Sequence, residues 1–366
     1  MSGVADTDVL VVGGGPVGLA AAIGAREAGL AVLVVEHRAG TLDKACGEGL
    51  LPGALRAVRS LGVDPEGYPL TGISYRRPGR HADHLFTDGP GRGVRRTVLH
   101  AALSRRAAAA GASVVQGRVR SLRQDATGVT VEVAGRTAVQ TLRARWLLGC
   151  DGLHSTVRRL AGLEAGSPPR VPGAGSGRYG LRRHYRVAPW SDLVEVHWGR
   201  RAEAYVTPVA PDVVGVAVLG PRRSTASVSG GAGDGFERAV AASFPELAER
   251  LRDRPPLGPV RGAGPLRQTS RRRALGWVRL VGDASGYVDA LTGEGLRVGV
   301  AQAEAAVRCL DDPDGYERAW RSVTRDYRLL TSGLVMWASG PARGAIVPLA
   351  AASPGLYGAV VERLAR

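Results

Sequence analysis

The chain has 366 residues, 44% hydrophobic and 22% charged, which is enough to build a sizeable core in more than one domain. Its formal net charge is +16 and its bases are almost all arginine, Lys44 being the single lysine. The arginines are scattered through every kind of segment, with no basic stripe interleaved with aromatics. They read as an arginine-coated surface able to steer anionic molecules, not as a nucleic-acid interface.

Residues 9–12 form an unbroken apolar run of the kind shown by a strand buried on both faces. It ends at Gly13, Gly15 and Gly18, which carry G-x-G-x-x-G spacing, with Pro16 and Val17 between the last two. An alanine-rich helix is predicted over 19–28, closed by Gly29. A second apolar run over 31–35 then delivers Glu36. Strand, glycine turn, helix, strand and acid together specify a dinucleotide site. Gly13 permits the tight turn, Gly15 lets backbone approach a pyrophosphate, Gly18 lets helix and strand pack, and Glu36 accepts from ribose hydroxyls. Because the first apolar run is already this strand, no secretory signal pattern is read at the N-terminus. A second G-x-G-x-x-G at 175–180 follows a proline cluster and precedes strand-like residues, so it reads as a loop. No second nucleotide-binding unit is expected.

The loop Cys46-Gly47-Glu48-Gly49 precedes Leu51, Leu55, Val58 and Leu61 at helical spacing. Its glycines flank an acid, which suits either close approach to a flat ring or a simple capped turn. Residues 71–91 read as strands leaving the nucleotide domain. Thr97 then caps a helix carrying Leu99, Leu103 and Ala107. Arg95 and Arg96 stand at its N-terminal end against the helix dipole, as solvated arginines or as partners of an anion. Strands are predicted over 113–116 and 129–133. A further strand enters G-C-D-G-L-H-S-T-V-R over 149–158, which sets Asp151 and Gly152 at the carboxyl edge of a sheet.

From 178 to 219 the pattern turns antiparallel, with strands over 181–187, 193–198, 202–207 and 213–219. Alternation places His197 with Glu195 on one face, Val196 with Trp198 on the other, and Tyr205 with Glu203 and Thr207; His184 points away from Tyr185. A flexible Gly/Ser/Ala connection over 224–235 and a helix over 244–251 follow. The chain re-enters the first domain at 277–283 with a buried strand ending in Asp283. Residues 291–296 open a long helix with Val300, Ala303 and Val307 on one face. The apolar stretch 329–352 is interrupted by Pro341, Arg343 and Pro348 and reads as packed helices, not a membrane span. Cys46, Cys150 and Cys309 are too dispersed for a disulfide framework or a metal site and fit a reducing cytoplasm.

The three separated motifs together resemble the FAD-dependent monooxygenases typified by p-hydroxybenzoate hydroxylase and, more closely, the geranylgeranyl reductase-like branch of that superfamily. The resemblance spans most of the chain. It implies an α/β fold in which a Rossmann-type FAD-binding domain carries an inserted antiparallel β-sheet substrate domain and C-terminal helices. FAD-binding segments are expected at 1–70, 92–177 and 266–310, substrate-domain segments at 71–91 and 178–265, and the helices at 311–366. The cofactor residues it implies are Gly13, Gly15, Pro16, Val17, Gly18 and Glu36 with His37 and Arg38 at the ADP half. Asp151 and Gly152 with Arg96 and Val119 come from the middle of the chain. Asp283 lies at the ribityl chain, Gly293, Gly295 and Leu296 at the flavin pyrimidine, and Cys46 and Gly47 beside the isoalloxazine. Ala290 departs from the family, which usually has proline there, and a halogenase reading fails because Lys44 lies before the cofactor loop and not beside a substrate.

The activity implied is hydroxylation of a hydrophobic phenol, quinol or polyketide-derived aromatic with NAD(P)H and O2, through a flavin C4a-hydroperoxide. His184, His197 and Tyr205 are the candidates for deprotonating or orienting the ring. The alternative is a reductase that delivers hydride to prenyl-chain double bonds. The expected setting is a cytoplasmic monomer or homodimer with no metal, nucleic acid or transmembrane segment.

Overall fold

The computed structural model describes residues 6–166, 177–222 and 234–366. The connection read at 224–235 and the first half of the second glycine pattern lie largely outside them. Strands and helices are numbered in chain order.

The first sheet is built around β1 (Thr7–Val12), which runs parallel to β2 (Val32–Glu36) on one side and to β11 (Val139–Gly149) on the other. Val9, Leu10 and Val11 are fully buried because β1 is covered on both faces. Beyond β2 lies β8 (Ser113–Gln116), and beyond β11 lies β18 (Val278–Leu280), which returns from β17 (Ala274–Leu275). The long β11 also pairs antiparallel with β10 (Gly128–Ala134), which pairs with β9 (Arg118–Asp125). The α1 helix (Pro16–Glu27) buries Leu19, Ala21, Ala22 and Ile23 in the core that Val9, Val11 and α7 (Gly295–Arg308) share. Small side chains on α1 suit that close approach.

The second sheet has seven strands in the order β16 (Pro256–Ala263), β12 (Arg178–Arg186), β15 (Val213–Pro221), β14 (Glu203–Ala210), β13 (Leu193–Trp198), β5 (Gly72–Arg77) and β6 (Arg80–Leu85). The strands expected at 71–91 thus complete this sheet, and their junction β5–β13 is its one parallel pairing. Its outer face packs Ala204, Val206, Val214 and Val216 against Phe236 and Val240 of α5 (Asp234–Ser243), Leu247 of α6 (Pro245–Leu251) and Phe244 between the two helices. The single helix expected over 244–251 is therefore the second of two. Three short strands, β3 (Gly49–Leu50), β4 (Tyr68–Leu70) and β7 (Gly91–Gly93), form a small sheet at the junction. Neither they nor β16, with two prolines and two glycines, carry an alternating pattern.

The C-terminal segment folds as α8 (Pro313–Ser339), α9 (Ile346–Ala352) and α10 (Pro354–Ala365). Ile346, Val347, Tyr357 and Val361 bury against Ile73, Val194 and Val196. Among the described residues no single helix is long and apolar enough to cross a membrane.

Candidate active site

The glycine turn is fixed by contact geometry. Gly13 has φ +107°, and a Cβ there would lie 2.5 Å from the Cys150 carbonyl oxygen; one at Gly18 would lie 1.9 Å from the Gly13 oxygen. Gly15 is different: a Cβ there meets nothing within 4 Å, and the residue lines a cavity of about 1130 Å³ between the two large sheets. Gly15 caps α1 without a side-chain bond, so the helix N-terminus faces that cavity with unshared N–H groups. Glu36, at the end of β2, is nearly buried and accepts from the backbone N–H groups of Gly14 at 2.8 Å and Arg38 at 3.0 Å. Behind the turn, His100 of α3 (Arg96–Ala109) accepts from Leu42 N through Nδ1 and therefore donates from Nε2 to the Gly14 oxygen at 2.9 Å. Burial pushes its pKa down, which keeps it in that neutral form.

Along the same cavity lie Pro16, Val17, His37, Arg38, Arg96, Val119, Asp151 and Gly152. Both Asp151 oxygens are turned to the N-terminus of α4 (Thr156–Leu160), accepting from Ser155 Oγ at 2.5 Å, Thr156 N at 2.6 Å and Val157 N at 3.1 Å. Burial raises its pKa despite these bonds. His37 contacts Glu36 at 3.0 Å, and burial lowers its pKa. Asp283, Gly293, Gly295 and Leu296 continue the lining at the uncapped start of α7. Burial pushes the Asp283 carboxyl up against the pull of Lys44 and Arg96. Lys44, the single lysine, also faces the cavity; burial and then Arg38 and Arg96 lower its pKa.

Opposite the nucleotide motifs the cavity is walled by the inner face of the seven-stranded sheet. The pairing Val196↔Tyr205↔Ala217 sets these residues side by side on that face with Ile73, Tyr75 and Val194. Cys46, Gly47 and Glu48 form the wall between the two halves, and Thr207 Oγ1 donates to the Gly47 oxygen at 2.8 Å. Tyr205 lines the chamber, and its hydroxyl donates to the Leu291 oxygen at 2.7 Å. Burial pushes the Tyr75 and Tyr205 pKa values up, so both stay protonated.

Gly18, His184 and His197 are not part of the lining. Gly18 acts beneath the turn. His197 lies on the outer face with Glu195, whose carboxylate it contacts at 2.9 Å. His184 is on the inner face but sealed behind Glu48, with Nε2 2.5 Å from Glu48 Oε2 and Nδ1 3.0 Å from Arg182 Nη1. Sequence reasoning passed over Asp43, His100 and Arg182, and it gave Lys44 and Glu48 no part in the site. Glu48 stood in the sequence reading only as the acid of the 46–49 loop; the other four belong to no recurring local pattern, and only the fold brings His100 to the glycine turn and Arg182 to the 43–49 loop.

The donor set fits FAD: an open helix N-terminus at Gly15, an oriented carboxylate at Glu36, a half-buried acid at Asp283 whose carboxylate has no hydrogen-bond partner among the described residues, and a second uncapped helix start at Gly295 converge on one elongated cavity. Fold and site therefore define an FAD-dependent oxidoreductase. The chain belongs to the FAD binding domain family, whose model matches residues 6–311. It is 30% identical over 342 residues to digeranylgeranylglycerophospholipid reductase 1 of Methanopyrus kandleri, covering 87% of each chain. It is 36% identical over 175 residues to rifampicin monooxygenase of Streptomyces venezuelae, a match spanning 45% of this chain and 36% of that protein. In fold it resembles a geranylgeranyl bacteriochlorophyll reductase-like protein of Thermoplasma acidophilum, with TM-score 0.79, 20% identity and coverage of 94% and 90%. FAD is the cofactor, and a nicotinamide nucleotide is the co-substrate typical of the family.

Proposed function

We propose that this enzyme uses FAD, NAD(P)H and O2 to hydroxylate a hydrophobic, electron-rich aromatic molecule. The observation that carries this reading is the central part of the sheet-side wall of the cavity, where Ile73, Tyr75, Val194, Val196, Tyr205 and Ala217 present apolar or neutral surface, while the charged Arg222 and Arg261 enter the lining from the end of β15 and the edge strand β16. Bound FAD, once reduced, supplies the activated oxygen. The chain binds the ring against the wall, excludes water and orients the substrate through neutral hydroxyls. With Tyr75 and Tyr205 held protonated and both His184 nitrogens engaged, that wall offers orientation and no free base. Such a chamber suits a phenol or quinol whose ring is already electron-rich. His197, on the outer face, is removed from the ring, and Tyr205 is the candidate that remains beside it.

A second reading, hydride delivery to a prenyl-chain double bond, is favoured by the match to the archaeal reductase over 87% of both chains. The same apolar wall would accept an isoprenoid. Incubating the enzyme with NAD(P)H, labelled O2 and panels of alkylated phenols, quinols and prenylated lipids distinguishes the two. A product one labelled oxygen heavier, with substrate-stimulated O2 uptake, supports the hydroxylase. A product two hydrogens heavier, with only background O2 uptake, replaces it with the reductase.

A further inference from the structure

Asp43, Glu48, Arg182 and His184 form a charged cluster at the seam between the 43–49 loop and β12. Glu48, Arg182 and His184 are buried. Arg182 donates to Asp43 Oδ1 and, at 3.1 Å, to the Lys44 oxygen; Arg261 holds the other Asp43 oxygen at 3.0 Å. Glu48 accepts from Arg96 N at 2.8 Å as well as from His184. A Cβ at Gly215, opposite His184 in the sheet, would lie 3.2 Å from Glu48 Oε2, so a small residue there leaves room for the carboxylate.

The geometry fixes the protonation of the imidazole. A guanidinium only donates, so Arg182 Nη1 fills the Nδ1 lone pair and the proton sits on Nε2, directed at Glu48. No lone pair is left to take a proton from a substrate. Meanwhile Glu48 holds φ +60°, a left-handed conformation unfavourable for a residue with a Cβ. Something outside the local chain must hold it there, and the buried hydrogen bonds to its carboxylate and the bond from Val94 N to its carbonyl at 2.8 Å do so.

We propose that Arg182 and His184 are positioning residues: through Asp43 and Glu48 they lock the 43–49 loop, and with it Cys46 and Gly47, into the FAD-facing wall, and His184 exchanges no proton with substrate. Removing the imidazole that bridges Arg182 and Glu48 leaves a buried guanidinium N–H and a buried carboxylate oxygen each short of a hydrogen bond, so the loop should loosen when His184 is truncated.

The test reconstitutes apoprotein with FAD and reads its Kd and the visible absorption band of the bound flavin, neither of which depends on which substrate is processed. In His184→Gln the amide oxygen can accept from Arg182 and the amide nitrogen can donate to Glu48. It should hold FAD within about twofold of the unsubstituted protein with the same band, since both hydrogen bonds survive. In His184→Leu both bonds are lost, and FAD binding should weaken roughly tenfold with a shifted band. Glu48→Gly guards against misfolding of the leucine variant, because it relieves the left-handed backbone while deleting the carboxylate; it too should bind FAD roughly tenfold more weakly. Unsubstituted FAD binding in both His184→Leu and Glu48→Gly would overturn the proposal. So would a glutamine variant as impaired as the leucine one, since the imidazole itself would then be what matters.

Discussion

The Tyr205 hydroxyl donates to the Leu291 carbonyl at 2.7 Å, tying the middle of the seven-stranded sheet to the loop that opens α7. The bond joins the chamber wall to the cofactor wall, so each constrains the other. Tyr205→Phe should leave that carbonyl unsatisfied and cost about 1–3 kcal/mol of stability, measured by denaturant unfolding. Because burial keeps the phenol protonated, Tyr205 should contribute no ionisation to the pH dependence of kcat/KM in the neutral and mildly alkaline range. Disappearance of an alkaline limb in the phenylalanine variant would contradict this.

Gly15 and Gly18 should separate binding from folding. A methyl group at Gly15 meets nothing within 4 Å, whereas one at Gly18 meets the Gly13 oxygen at 1.9 Å. Gly15→Ala should therefore leave apoprotein stability nearly unchanged and weaken FAD binding, since the methyl enters the space beside the open helix N-terminus. Gly18→Ala should destabilise the apoprotein itself by about 1–3 kcal/mol, as overpacking does in tight sites. Thermal unfolding of apoprotein and FAD titration read the two effects independently; equal loss of apoprotein stability in both variants would refute the distinction.

Glu36 already accepts two backbone N–H groups, from Gly14 and Arg38, which aims its carboxylate at the ribose position. Glu36→Ala should cost about 1.5–3 kcal/mol of FAD binding through lost charge-assisted bonds. An FAD Kd within twofold of the unsubstituted value would remove Glu36 from the site.

The readable parts of the sequence were those in which a backbone requirement leaves a local mark. Gly13 and Gly18 could be assigned because close approach tolerates no side chain, and β1 because burial on both faces demands an unbroken apolar run. The alternation through Val196 and His197 likewise gave which residues of β13 share a face, but not which face meets the chamber, so His197 stood among the candidates although the fold turns it outward beside Ala204. The environment of His184 was not legible, because it is completed by Glu48 from a loop 136 positions away. Lys44 looked irrelevant for the same reason: only the fold brings it near Asp283. The strand β16 was hidden by its prolines and glycines, which an edge strand tolerates because half of its ladder is unpaired.

At Asp283, binding and stability should oppose each other. Burial raises its folded-state pKa above the usual carboxylate value of 3.8, against the attraction of Lys44 and Arg96. A carboxyl with a raised folded pKa binds more protons in the native state than in the unfolded one over the interval between the two values. Its contribution to stability is therefore present below the unfolded pKa and is lost as pH rises through the folded pKa. Asp283→Asn removes that titration while keeping the shape. Apoprotein carrying it should be more stable at neutral pH than the unsubstituted apoprotein, and the difference should shrink as pH falls toward the unfolded carboxylate pKa. FAD affinity should move the other way, because the neutral amide no longer offers a charged acceptor to the cofactor's hydroxyls. Unfolding of both apoproteins across that pH range, paired with FAD titration, tests the two halves together. If Asp283→Asn destabilised the apoprotein at neutral pH, the attraction of Lys44 and Arg96 would outweigh desolvation at this site; unchanged FAD affinity would take the carboxylate out of cofactor binding.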